Sequence, residues 1–310
     1  MALEGRLLGV DIATQAASEA LRPGIRTGRR RFPLAWIVTV PFFAYITLFL
    51  FLPAGNVLVG AFKAKDDSWT LDNVRLLFHE PYVSAYKTSI EVSGVTALIG
   101  GFVGLAIAYA AIRDGSPRWI RSTLSTFSGV AANFGGIPLA FAFIATLGTI
   151  GIVTQFLQNQ LGINIYQHGF NLFSKTGVEI VYLYFQLPLM ILVISPAIDG
   201  LKREWREASS NLGASSWQFW RYVGLPYLMP SILGAVILLF GNAFAAYATA
   251  YSLTSGAVNL VPILIGSYYS GNVLDNPHLA QALAFGMFVV LAAMMVIYIP
   301  LNRRATRWAK

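Results

Sequence analysis

The sequence predicts an all-α integral membrane protein with six spans, and three observations carry that prediction. Only 12% of the 310 residues are charged while 56% are hydrophobic, with a mean hydropathy of +0.60. Soluble domains carry about 25% charged residues, so this chain has too little polar surface to cover a fold in water. The second observation is a set of charge-free runs: 32–62, 92–112, 122–174 (His168 apart), 180–198, 222–274 and 276–302 (His278 apart). The third is the distribution of Lys and Arg around those runs.

A helix needs roughly 20 apolar residues to cross the hydrocarbon. The two longest runs could hold two helices each, but their second halves argue otherwise. Residues 155–171 are rich in Gln and Asn, and residues 252–274 are cut by Ser255-Gly256, Pro262, Gly266 and Gly271-Asn272. Backbone exposed to lipid must be hydrogen-bonded within its own span, so both stretches read as outer loops or re-entrant segments. The predicted spans are 34–61, 89–112, 124–149, 178–199, 226–251 and 279–301.

Placing both termini in the cytoplasm puts seventeen Lys/Arg inside: six before the first span, three between spans two and three, four between spans four and five, and four in the tail. Five lie outside: Lys63, Lys65, Arg75, Lys87 and Lys175. None is left within a span, and the bias follows the positive-inside rule. It also accounts for the net charge of +8. Arg29-Arg30-Arg31 then reads as an anchor at an anionic inner leaflet, not as a nucleic-acid site.

Residues 1–33 read as a polar, basic cytoplasmic arm. Residues 34–84 hold the first span and an outer loop. Residues 85–302 form a core of five spans with a cytoplasmic loop at 200–225, and 303–310 form a cytoplasmic tail. The first apolar run is too long for the h-region of a cleaved signal. With no cysteine there is neither a disulfide framework nor a thiolate metal site. The three histidines have no paired spacing, so no metal or other cofactor is expected.

The loop between spans four and five carries the most specific pattern. Leu201, Trp205, Ala208 and Leu212 recur at helical spacing, predicting a short amphipathic helix over 199–212. Gly213 allows a turn with positive φ. Ser215 or Ser216 can cap a second short helix through Trp217, Phe219, Trp220 and Tyr222. Pro226 suits the first turn of span five. An ordinary amphipathic loop on the headgroups would explain the Trp and Arg residues. It would not explain why Ala208, Ser209, Ser210 and Ala214 crowd one acid and one glycine. Small residues admit another surface closely.

Glu207-Ala208-Ser209-Ser210-Asn211-Leu212-Gly213, followed by Val223-Gly224-Leu225-Pro226, resembles the E-A-A-x3-G-x9-I-x-L-P signature of permease subunits of binding-protein-dependent, type I ABC importers. Ser209 replaces the second Ala and Val223 the Ile. The resemblance extends over about residues 85–300. It implies the type I importer permease fold, in which this loop is a coupling helix seated in a cleft of a cytoplasmic ATPase. Glu207, Ala208, Ser209, Leu212, Gly213, Leu225 and Pro226 would be the coupling residues. Glu207 would be held by a group of the partner or of the loop itself, and Gly213 would give the bend. The implied partners are ATP-binding subunits, a second homologous permease, an extracytoplasmic substrate-binding protein and membrane lipid, in a bacterial inner membrane. Asn276-Pro277 and the stretch Ala280–Met287 look like the polyamine branch.

No Gly-Lys dipeptide occurs, so no P-loop is present and this chain is not expected to be an enzyme. Neither a rhomboid-like Ser/His pair nor two intramembrane Asp residues can be assembled. A secondary transporter or channel, or an importer of iron, phosphonate, thiamine or sugar, are the alternatives. For the solute path the candidates are Asn133, Gly136 and Pro138 in span three, and Asn242, Tyr247 and Tyr251 in span five. Helix breaks at mid-depth expose backbone to a solute, while glycines also allow close helix contact; both readings stay open.

Overall fold

The computed structural model describes residues 34–112, 117–270 and 276–306. The predicted arm at 1–33, Arg113 and the last four residues of the predicted tail lie outside them. Packing divides the chain into a unit ending at Ala54 and a second unit from Gly55 onward. The first contains α1 (Leu34–Ile46), a π-helical turn at Thr47–Phe51 and the start of α2 (Leu52–Gly60).

The second unit is built from α3 (Asp72–Leu76), α4 (Tyr82–Ile112), α5 (Arg118–Asn133), α6 (Gly136–Leu147), α7 (Ile152–Leu161), α8 (Lys175–Asp199), α9 (Arg203–Asn211) and α10 (Ser216–Phe219). A π-helical turn at Trp220–Gly224 follows, then α11 (Leu225–Phe244), α12 (Ala248–Thr254), α13 (Val261–Ser270) and α14 (Pro277–Thr306). Among the described residues there is no strand, only an isolated bridge between Lys63 and Trp69. Among the described residues six helical stretches are long and apolar enough to cross a membrane: Thr39–Gly60, Tyr82–Ile112, Gly136–Leu161, Lys175–Asp199, Ser216–Phe244 and His278–Thr306.

The longest seam runs between α4 and α8, with α11 laid against both and α14 against α11. Small residues make that seam possible. A β-carbon at Gly100 would lie 2.8 Å from Cβ of Gln186, and one at Gly104 would lie 2.7 Å from Cβ of Met190. Where lipid is as apolar as the helix surface, close backbone approach replaces hydrophobic burial as the adhesive. Gln186 is fully buried in this seam and donates through Nε2 to the Leu239 carbonyl at 2.9 Å, tying α8 to α11. Met190, Ile194, Leu239 and Phe244 fill the layer toward the 200–224 loop; Tyr182, Leu139 and Leu253 fill the layer at the other end.

Several boundaries differ from the sequence reading. The predicted span at 124–149 is interrupted at Phe134-Gly135, where a break was expected, but its first helix, amphipathic α5, starts earlier, at Arg118, and apolar α6 follows the break. The Gln-rich stretch 155–171, read as an outer loop or re-entrant segment, begins within α7, which is capped by Gly162 with φ 67°. The stretch 252–274, read as an outer loop or re-entrant segment, holds the end of α12 and all of α13. Segment 162–174 is a run of turns, pinned where Tyr166 Oη donates to the Leu147 carbonyl at 2.8 Å; burial pushes that phenol above its ordinary pKa.

Span five does not begin at Pro226. The helix runs on from Ser216, and Pro226 sits inside it. A proline removes one N–H and its ring crowds the carbonyl four residues back. The preceding turn widens, Leu225 donating to Trp220 five residues back, so the helix continues instead of ending. The same arrangement recurs in the first unit, where the π-helical turn Thr47–Phe51 lies just before Pro53 and Leu52 donates to Thr47.

Candidate functional site

Two regions collect the residues singled out from the sequence. The first is the 200–224 loop. Asp199, the last residue of α8, makes an ion pair with Arg121 of α5. The chain then turns and enters α9, whose far end closes in a Schellman motif. Ala214 N donates to the Ser209 carbonyl at 3.1 Å and Gly213 N to the Ser210 carbonyl at 2.9 Å. Gly213 has φ 78°, in the left-handed region that an L side chain resists. Ser215 is the cap of α10: its Oγ accepts from Gln218 N at 3.3 Å while Gln218 Oε1 accepts from Ser215 N at 2.7 Å. Two tight caps back to back thus fold α9 against α10, leaving Leu212 at the tip, 87% exposed.

Ala208, Ser209, Leu212 and Pro226 line one groove of about 740 Å³, walled by the aromatic rings of Trp205 and Tyr227. Those two rings meet edge to face at 5.2 Å. Glu207 and Leu225 do not line this groove. Glu207 lies on the exposed side of α9, its Oε1 accepting from Arg203 Nε at 2.8 Å. An exposed pair at this spacing is worth only about 0.3–0.5 kcal/mol, so it leaves the carboxylate available for exchange. The sequence reading missed Tyr109 of α4, which holds the loop from below. Its Oη accepts from Arg206 Nη2 at 3.2 Å, and its ring stands edge-on to Trp220 at 4.8 Å. Tyr109 lies 97 residues from Arg206 and no spacing rule reaches that far.

The second region is where spans three and five break. Asn133 ends α5, exposed, with Nδ2 donating back to the Gly129 carbonyl at 2.8 Å. Gly136 opens α6 with φ 70°, and its N–H donates to Thr249 Oγ1 of α12 at 2.8 Å. Pro138 lies in the first turn of α6, exposed. Opposite, α11 ends at Phe244 and α12 starts at Ala248; the Ala246 carbonyl between them accepts from Tyr182 Oη at 2.8 Å. The two breaks are therefore side by side. Tyr247 and Tyr251 stack at 5.4 Å with rings 21° apart, and 37% and 47% of their surfaces stay exposed. The Tyr247 ring rests on Gly266 of α13, where a β-carbon would come within 2.5 Å of it. Asn242 is exposed near the end of α11, and no hydrogen bond joins it to Asn133 among the described residues. Thr249 and Gly266, which position this surface, carry no signal of their own in the sequence.

At the other end of the α4–α8 seam, Glu91 makes an ion pair with Lys175. Glu91 is the tenth residue of α4 and Lys175 the first of α8, so the pair ties the two helices together.

Residues 167–307 match the family described as "Binding-protein-dependent transport system inner membrane component". That range holds α8, the whole 200–224 loop, the break of span five and α14. A probable sulfate transport system permease protein, cysT, of Zygnema circumcarinatum is 27% identical over 271 residues, covering 84% of this chain and 87% of that protein. The spermidine/putrescine transport system permease protein PotB of Haemophilus influenzae is 24% identical over 283 residues, covering 86% and 93%. In fold, the chain is similar to a bacterial ABC transporter involved in the import of alginate, with a TM-score of 0.66 and 19% identity over 89% of this chain and 96% of that one. Signature loop, six candidate spans, the family match over residues 167–307 and relatives matched over most of their length agree: this chain is similar to the membrane-spanning permease subunits of binding-protein-dependent ABC importers, which are transport components and not enzymes.

Proposed function

We propose that this permease forms half of a solute path, completed by a second, homologous permease subunit, and that its 200–224 loop docks on a cytoplasmic ATP-binding subunit. An extracytoplasmic binding protein delivers the solute from the opposite side. The observation that carries the docking is the doubly capped loop: a fixed bend at Gly213 presents exposed Leu212 beside a groove floored by Ala208 and Ser209. A rigid, small-residue knob loses little entropy on docking. The excess of Lys and Arg in the loop and near both termini supports placing these segments on the cytoplasmic side. Co-purification of the tagged permease with a co-expressed ATP-binding subunit tests the docking; a permease that transports alone overturns it.

The solute proposed is a polyamine-class cation. The stacked Tyr247–Tyr251 pair turns exposed aromatic surface toward the broken spans, and aromatic faces attract organic ammonium groups. The spermidine/putrescine permease relative supports this reading. Uptake of labelled spermidine into proteoliposomes holding the full complex checks it; uptake of labelled sulfate instead replaces the cation with the oxyanion carried by the other relatives. Asn133→Leu and Asn242→Leu are each expected to cut flux about tenfold, the worth of a lost polar contact in a water-lined path. ATP hydrolysis stimulated by the binding protein is expected to persist. If expression, hydrolysis and flux fall together, the two Asn are packing residues.

A further inference from the structure

We propose that Arg206 and Tyr109 form a latch that transmits movement of the docked loop into the second span, an inference that rests on the docking reading above. Two contacts meet on one phenol, and a third ties its partner Arg206 to α10. Arg206, on α9, donates to Tyr109 Oη at 3.2 Å. Its guanidinium also lies 5.4 Å from the ring centroid of Phe219 on α10. Trp220, the first residue of the π-helical turn, stands edge-on to the Tyr109 ring at 4.8 Å. Both arms of the loop therefore grip the same side chain of α4. That helix, 31 residues long, runs from Tyr109 back to Tyr82 along the glycine seam with α8. A tight seam moves as a body, so a pull on Tyr109 reaches the opposite face.

Two other ion pairs at and beside the loop have partners of their own. Arg203 and Glu207 engage each other on the exposed side of α9. Arg121 and Asp199 join α5 to α8 and do not touch α9. Arg206 is also the residue with room to move. A cavity of about 280 Å³, lined by Tyr109, Arg206, Ser210, Ser215, Phe219 and Trp220, opens beside the contact. The guanidinium can swing there, stay solvated and release the phenol without leaving a buried charge. A contact meant only to hold the loop still would be packed shut. Arg206 and Tyr109 are thus positioning residues with two accessible arrangements.

The test exploits the absence of cysteine in this chain. A single Ile107→Cys, exposed on α4 two residues before Tyr109, carries a bimane label in the assembled complex with ATPase and binding protein. Trapping the ATPase with ATP and vanadate is expected to shift the bimane emission. Tyr109→Phe keeps the ring against Trp220 and removes only Oη. It and Arg206→Gln are each expected to reduce that shift about tenfold, the factor a charge-assisted hydrogen bond gives an equilibrium. Nucleotide trapping and retention of the ATPase are expected to stay at the parent level. The double variant is expected to be no worse than either single one, because both remove the same bond. A full emission shift in Tyr109→Phe overturns the latch. So does a loss of shift that accompanies loss of thermal stability and assembly, which marks the pair as plain packing. A parent complex that never retains the ATPase refutes the docking reading instead, and the latch falls with it.

Discussion

Replacing Gly213 by proline is expected to reduce solute uptake at least about tenfold while the spans remain inserted and folded. The residue sits at φ 78°, whereas a proline ring holds φ near −65°. Its N–H also supplies one of the two bonds that close α9, to Ser210 at 2.9 Å, and proline has none to give. Space is not the issue, since nothing lies within 4 Å of where a β-carbon would be. That separates backbone geometry from crowding and predicts a graded series. Gly213→Asn, which tolerates the left-handed region, is expected to transport nearly normally. Gly213→Ala is expected to cost about 1–2 kcal/mol locally and show partial coupling. Uptake measured with ATP hydrolysis on the same proteoliposomes checks the series. A proline variant that transports at the parent rate would remove the bend from the mechanism.

Gly100→Leu and Gly104→Leu are expected to abolish most of the folded permease. Even the first added carbon would stand 2.8 Å from Gln186 Cβ or 2.7 Å from Met190 Cβ, with the Leu187 carbonyl 3.0 Å from the second. Neither neighbour is the free end of a flexible side chain, so the helices themselves must separate. Overpacking costs about 1–3 kcal/mol where the surroundings yield. Here it also pulls Gln186 away from the Leu239 carbonyl and strands a buried amide, adding about 1–3 kcal/mol more. The same helix supplies its own control: Gly94 has nothing within 4 Å, and Gly94→Leu is expected to be neutral. Monodisperse yield and melting temperature in detergent measure all three. Equal behaviour of Gly94 and Gly100 variants would show that the α4–α8 seam is not a close contact.

The existence of the spans was legible because charge is so scarce here that each charged cluster marks a membrane boundary. Their ends were less so. Lys87 suggested a boundary at residue 89, yet α4 begins at Tyr82, because a lysine near the end of a span can reach the interface along its own stem. Arg118 and Arg121 hid α5 from a hydropathy reading, since that helix is amphipathic and packs one face on α8. Pro226 read as a beginning because the widened turn that lets a helix absorb a proline depends on backbone geometry. The bend at Gly213 and the interruption at Asn133–Gly136 were legible, both being encoded by residues whose backbone preferences are local. What joins distant segments was not: Tyr109 beneath Arg206, Thr249 opposite Gly136 and Gly266 beneath Tyr247 are ordinary residues until the fold sets them side by side.

The bond from Gly136 N to Thr249 Oγ1 has a consequence for how this permease can be recombined with its relatives. It joins residues 113 positions apart across two helices that each stop and restart at the same level. A transplant of α5–α6 alone would bring a new interruption to an old acceptor, and a transplant of α11–α13 alone would do the reverse. Either chimera strands a polar group among apolar side chains. The smallest exchangeable module is therefore discontinuous in sequence: it comprises the broken third span and the broken fifth together, with α8 between them left in place as the common frame.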